Sequence, residues 1–433
     1  MSVLFRDARL ADGRSRDVRT ESGTIAAVAE VIDPVPSDRV LDAGGRLLLP
    51  GAIDAHVHFR EPGGSHKETW TTGSRSAAAG GVTTVVDQPN TAPPTITGDR
   101  FDRKSELAAA SRVDYGLNGG VTPAWEPDSL FDRPVFALGE VFLADSTGGM
   151  GIDTEQFATA VERAAGANAT VTVHAEDASR FDESVRGRGA GGVGRDADAD
   201  RWSRYRPAAA EVAAVERAVE IGSAAGATLH VAHTSTPEGV DAAVDGGATC
   251  EATPHHLLLS REDATELGTY GRMNPPLRSE SRRDALWERL LGGEIDIVAT
   301  DHAPHTIAEK ETDLWDAPSG VPGVETMLPL LLERARRGDI SYERVRDVTA
   351  TNAARVFDLP GKGRVAEGYD ADLVLVDPER TREIRGEALH SKCGWTPFEG
   401  MTGVFPSLTM VGGTVVHEEG AFPSGPIGEN VRT

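Results

Sequence analysis

Two histidines, His56 and His58, stand two residues apart in the run Gly51-Ala-Ile-Asp-Ala-His-Val-His-Phe-Arg60. In an extended strand, side chains two apart point to the same side. Two imidazoles placed this way can grip one divalent ion, and imidazole suits zinc. Asp54 and Arg60 share the parity, so one strand is expected to aim an acid, two ligands and a cation toward a common region. Alone, a His-x-His pair also describes a surface strand with two solvated rings. What separates the two readings is the distribution of the other reactive residues.

Those residues need elements to position them. Strand runs are predicted at 51–59, 82–88, 114–120, 135–142, 170–175, 228–234, 249–255 and 295–300. Alanine-rich helical stretches separate most of them, among them 72–79, 157–165, 209–225 and 282–291. Eight strands with intervening helices predict an α/β fold of the (β/α)8 TIM-barrel type, in which active sites gather at the carboxyl ends of the strands. The reactive residues fall at those ends: His56, His58 and Arg60 after the first strand, Asp87 to Asn90 after the second, His174 and Glu176 after the fifth, and His233 after the sixth. His255, His256 and Asn274 follow the seventh, and Asp301 to His305 the eighth. Most of the 12 histidines are accounted for in this way. Four histidines and one aspartate from four strands then make a cage for two ions. His56 and His58 would hold the first, His174 and His233 the second, and Asp301 would reach the first ion and an attacking water. Two zinc ions sharing a hydroxide also need a bridging carboxylate.

The chain ends read differently. Residues 1–50 and 357–433 carry short strand runs with tight turns, and are expected to fold together as one small β-sandwich domain around a barrel spanning 51–356. The stretch 179–206 is rich in Gly, Arg and Asp and reads as a flexible loop that either covers the site in part or is a solvated insertion. A second structured loop near the site is expected at 313–323.

Composition narrows the function classes. With 433 residues the chain is long enough for a barrel and a smaller domain. No apolar run is long enough to span a membrane, the charged N-terminus lacks a signal core, and a cytoplasmic protein is expected. Cys250 and Cys393 have no CxxC neighbour and suggest no disulfide framework. The net charge is −24 and the chain holds only five lysines. No basic stripe exists to hold nucleic acid. Dispersed acid with little lysine suits a protein that stays soluble in concentrated salt.

The motifs as a set resemble the dihydroorotases, among the cyclic amidohydrolases of the amidohydrolase superfamily. They are Asp54-Ala-His-Val-His-Phe-Arg-Glu-Pro-Gly63, Gln88-Pro-Asn-Thr91, Val173-His-Ala-Glu176, His230-Val-Ala-His233, Met273-Asn-Pro-Pro-Leu-Arg278, Ala299-Thr-Asp-His-Ala-Pro-His305 and Ser391-Lys-Cys-Gly-Trp-Thr-Pro-Phe-Glu-Gly400. The resemblance covers nearly the whole chain and implies two Zn2+ per subunit and, with the acidic composition, a halophilic archaeal source. It implies reversible closure of N-carbamoyl-L-aspartate to (S)-dihydroorotate in pyrimidine biosynthesis, with Asp301 as the catalytic base and then acid. Many relatives bridge the metals with a carboxylated lysine at the end of the fourth strand. Here Glu140 stands at that place, with Asp145 as its competitor. Arg60 is implied to bind the substrate carboxylate, helped by Asn90, Asn274 and His305; the alternative for Arg60 is a structural ion pair with Glu61 or Asp87. The implied partner is a small molecule, with no nucleic acid and no membrane; a homo-oligomer is compatible with the sequence, which displays no interface. Rival readings are a hydantoinase or allantoinase with the same metal site, and a non-catalytic scaffold.

Overall fold

Leu47, Leu48 and Leu49 sit on one strand, and their side chains enter two different cores. Leu47 and Leu49 join the large core of the barrel, whereas Leu48 joins a smaller core with Phe5, Val18, Ile25, Leu373, Leu375 and Met410. The same alternation sends Val374 and Val376 into the barrel core. Period-two geometry thus lets single strands weld the two parts of the molecule together.

The computed structural model describes residues 2–144, 149–186 and 192–433. Five strands come first: β1 (Ser2–Arg9), β2 (Ser15–Glu21), β3 (Thr24–Ala29), β4 (Asp38–Asp42) and β5 (Leu47–Pro50). Eight follow in the middle of the chain: β6 (Ala52–Val57), β7 (Val82–Asp87), β8 (Asp114–Leu117), β9 (Leu138–Phe142), β10 (Val171–His174), β11 (Leu229–Val231), β12 (Thr249–Ala252) and β13 (Ile297–Val298). Three close the chain: β14 (Leu373–Glu383), β15 (Thr402–Val411) and β16 (Thr414–Glu418). The first five and last three form one eight-stranded sheet in the order β16-β15-β14-β5-β1-β2-β3, with β4 paired to β1.

The eight middle strands are parallel and lie in chain order, in a three-stranded sheet β6-β7-β8 and a five-stranded sheet β9 to β13. Every residue of β7, Val-Thr-Thr-Val-Val-Asp, is buried, as expected of a parallel strand covered on both faces. Among the described residues, continuous ladders do not close the barrel. The seams are single parallel bridges, Gly119 to Leu138 and Val57 to His302. At the second seam the backbone N–H of His58 donates to the His302 carbonyl at 2.8 Å, so residues of the site carry the closure.

The predicted helices occur as Trp70–Ala79, Thr154–Gly166, Ala208–Ala225 and Glu280–Gly292. The first begins with a Thr69–Thr72 capping box, and the third ends at Gly226 in the left-handed region, φ 65°. No helix among the described residues is long and apolar enough to cross a membrane. Both cysteines are buried and free.

Candidate functional site

The carboxyl ends of β6, β9, β10, β11 and β13 deliver their side chains to one buried cluster. Ligand atoms of His56, His58 and Asp301 lie within 4.8 Å of one another, and so do those of His56, Glu140 and His233. Glu140 is the hub. Its Oε1 lies 2.5 Å from His233 Nε2 and 3.0 Å from His174 Nδ1, and its Oε2 lies 3.3 Å from His56 Nε2. His174 Nδ1 is also 3.0 Å from His233 Nε2. Asp301 Oδ1 is 2.9 Å from His58 Nε2. The competitor Asp145 lies outside the described residues.

Glu140 reaches the hub because β9 is irregular. Leu138 pairs with Val171 but Val141 pairs with Val173, so β9 carries one extra residue at Gly139–Glu140. Gly139 has φ +140°, and a Cβ there would fall 2.1 Å from Thr172 Oγ1, so only glycine fits. Three other residues of the site, Arg60 (φ 65°), His233 (φ 33°) and Asp301 (φ 46°), also hold left-handed backbone. Such conformations cost about 1–3 kcal/mol each and persist where surrounding packing over-determines them.

The electrostatics show a region short of positive charge. Burial pushes the His174 imidazole down, but Glu140 and Glu176 outweigh it and lift its pKa to about 9. His56 is likewise raised against burial by Glu140 and Glu251. His58 is lowered by burial, against its bond to Asp301. Glu140 and Asp301 both lie below the usual carboxylate range, because facing imidazoles more than offset burial. His56 Nε2 and His233 Nδ1 are buried with no hydrogen-bond partner among the described residues. Carboxylates that strengthen imidazole bases, with two ring nitrogens left over, fit a divalent metal, which binds neutral imidazole and carboxylate.

Behind the ligands, Glu251 accepts from His56 Nδ1 at 2.7 Å and from the His233 backbone N–H at 3.1 Å, and pairs with His230 at 3.2 Å. Glu176 accepts from His174 Nε2 at 3.1 Å and pairs with Arg206 at 2.5 Å. Carboxylates that orient ligand imidazoles are a recurrent outer layer of metal sites. Glu176 is among the strand-end residues that the sequence singles out, and Glu251 is not. The signal was available, since an acid inside the buried strand β12 demands a partner.

The anticipated direction of Asp54 needs correction. It accepts from the Thr300 backbone N–H at 2.9 Å and hydroxyl at 2.6 Å, tying β6 to the base of the Asp301 loop. Burial raises its pKa to about 6. The β6–β7 register shifts between Asp54 and Val57, so simple parity does not carry Asp54 into the cluster.

The pocket above the cluster is lined by His58, Arg60, Asn90, Asn274, Ser319 and Gly320, among others. Four larger clefts, of about 220, 350, 400 and 510 Å3, lie elsewhere and include none of the clustered ligands. Arg60 makes no ion pair with a carboxylate among the described residues; its Nε donates to the Pro304 carbonyl at 3.2 Å. Neither acid named as an alternative partner binds it: Asp87 pairs with the buried Lys104 at 2.6 Å, and Glu61 accepts from the Trp70 N–H. Asn90 Oδ1 lies 2.7 Å from His58 Nδ1. His305 stands beside Arg60, its Nε2 3.2 Å from Nη2, and is not one of the lining residues. Lys67 donates to His305 Nδ1 at 3.0 Å, so Nε2 carries the ring proton and donates to the Ser319 carbonyl at 3.0 Å. Glu309 holds Lys67 at 2.9 Å. The other histidines do structural work. His256 bonds Thr253 and the Pro275 carbonyl, while His302 accepts from Gly323 N–H and faces Glu68. The exposed His66 lies 3.6 Å from Glu309.

The pattern that defines the amidohydrolase family matches residues 47–416. The chain belongs to the amidohydrolase family. A dihydroorotase of Halobacterium salinarum is 65% identical over 431 residues, covering 99% of each chain. A dihydroorotase of Methanosarcina mazei is 44% identical, covering 95% of this chain and 92% of its own. An allantoinase of Rubrobacter xylanophilus is 37% identical over 96% of this chain and 94% of its own. Among solved structures, the L-hydantoinase of Arthrobacter aurescens matches with a TM-score of 0.92 at 31% identity, covering 98% of each chain.

Proposed function

We propose that this protein is a dihydroorotase, interconverting N-carbamoyl-L-aspartate and (S)-dihydroorotate in pyrimidine biosynthesis. The observation that carries the reading is Arg60: a buried guanidinium lining the pocket, with no carboxylate partner among the described residues, beside a metal-ligand cluster. Dihydroorotate and carbamoyl-aspartate each bring a carboxylate that a guanidinium can bind bidentately. Hydantoin and allantoin bring none. The identity of 65% to a dihydroorotase and 37% to an allantoinase points the same way.

Two zinc ions would be held by His56, His58, Glu140, His174, His233 and Asp301, with Glu140 as the shared carboxylate of the set. When bound, such ions polarise a carbonyl and make water a nucleophile near neutral pH. The protein's own part is positioning and proton transfer. Asp301 is ionised, because His58, His56 and His233 more than offset its burial. Its carboxylate takes the proton of the attacking water and delivers it to the ring nitrogen as the carbon–nitrogen bond opens. Arg60, Asn90 and Asn274 hold the substrate, and His305 steadies the Arg60 side of the pocket. In the biosynthetic direction the proton path reverses. The acidic surface, the five lysines and the Halobacterium relative fit a cytoplasmic enzyme of a halophilic archaeon. Replacing Asp301→Asn should leave most of the metal bound while cutting turnover of dihydroorotate roughly 10²-fold or more. Near-normal turnover in that variant would remove Asp301 from the role.

A further inference from the structure

The glycine- and arginine-rich stretch before the helix Ala208–Ala225 presents one side chain to the pocket wall. Trp202, on the short helix Asp200–Tyr205, donates its indole N–H to Asn274 Oδ1 at 3.1 Å and to the Met273 carbonyl at 3.0 Å. Trp202 is buried, at 5% exposure, with Tyr205 and Trp315 against it and the Arg272 guanidinium 3.9 Å from its ring centre. Backbone contacts anchor the stretch to the segment after the helix Ile307–Lys310: Leu314 N–H donates to Gly192 O at 3.0 Å, and Gly194 N–H to Thr312 O at 3.1 Å.

We propose that Trp202 is a positioning residue that fixes which end of the Asn274 amide faces the substrate. An indole N–H can only donate, so it can hold the oxygen end of an amide and never the NH2 end. In this reading, holding Oδ1 with Trp202 makes the NH2 the end by which Asn274, a residue lining the pocket, meets an acceptor on the substrate. A carboxylate and ring carbonyls are acceptors, so an amide locked as a donor recognises them together with Arg60. An amide free to flip would spend part of its time presenting oxygen to oxygen. The helix turn gives the same short stretch a second grip. Arg206, four residues on, pairs with Glu176, which holds His174, so one stretch braces both the substrate wall and the ligand cluster.

This inference rests on the reading of Asn274 as a substrate contact, and three variants separate the two. In the full-length, zinc-loaded protein, Trp202→Phe keeps the ring and removes the N–H. It should raise KM for dihydroorotate roughly five- to tenfold, as loss of one oriented hydrogen bond does, with kcat within about twofold. Metal content and melting temperature should be unchanged. Asn274→Ala should raise KM at least as far, and the double variant should match Asn274→Ala alone, because Trp202 acts through that amide. If Asn274→Ala raises KM while Trp202→Phe does not, or the two effects multiply, Trp202 does not act through Asn274 and the inference falls while the substrate contact stands. If Trp202→Phe lowers kcat, metal content and melting temperature together, its role is packing and the inference falls. If Asn274→Ala leaves KM unchanged, the substrate contact itself is wrong and the inference falls with it.

Discussion

The floor and the wall of this pocket are built on different principles. The floor holds His56, His58, Glu140, His174, His233 and Asp301, all at or just beyond strand ends, buried and crossed by carboxylate–imidazole contacts of 2.5–3.3 Å. The wall holds Arg60, Asn90, Asn274, Ser319 and Gly320, carried by loops and oriented by Lys67, His305 and Trp202. Strands fix what must be placed to a fraction of an ångström, and loops fix what must differ between substrates. The chain's relatives include dihydroorotases, an allantoinase and an L-hydantoinase.

Floor and wall should fail in different ways when broken. Removing the hub, Glu140→Ala, should reduce bound metal by about one equivalent and cut turnover on the order of 10³-fold, measured by elemental analysis and a ring-opening assay. Retention of full metal and turnover would show that another group bridges the floor. Arg60→Lys should keep the metal and raise KM for dihydroorotate roughly ten- to a hundredfold, since an ammonium cannot make the bidentate pair. Equal loss on dihydroorotate and on neutral hydantoin would erase the distinction between floor and wall. The smallest effect is the pH dependence of metal uptake. With its pKa lifted to about 9, His174 holds a proton in the metal-free protein at neutral pH, and a metal must displace it. Apparent zinc affinity should fall as pH drops below about 9, by roughly tenfold per unit for each proton displaced. A flat profile between pH 6 and 9 would mean that His174 takes no part.

The same division decides how much could be read from the sequence. Histidines at strand ends are visible because strand patterns and reactive residue types coincide along the chain, and Glu140 is legible through the resemblance, at the place of the relatives' carboxylated lysine, and as an acid inside an apolar strand. Glu251, 195 positions from the His56 it orients, gave the same signal, but its partner was out of sight. Trp202 falls in the stretch 179–206, which by composition reads as a flexible loop that either covers the site in part or is a solvated insertion. Its role depends on a fold-back onto Asn274, 72 residues away, which no local pattern records. Asp54 shows the converse. Parity carries a prediction only while the register holds, and it shifts between Asp54 and Val57.

The central claim, that this floor seats two cations beneath a wall selecting an anionic ring, is tested most directly by one measurement. Freshly purified protein should be analysed for metal, and for opening of dihydroorotate and hydantoin in molar salt. About two equivalents of zinc or a similar divalent metal are expected, with dihydroorotate opened in clear preference to hydantoin. Metal-free protein on which added zinc confers no ureide chemistry would contradict the claim.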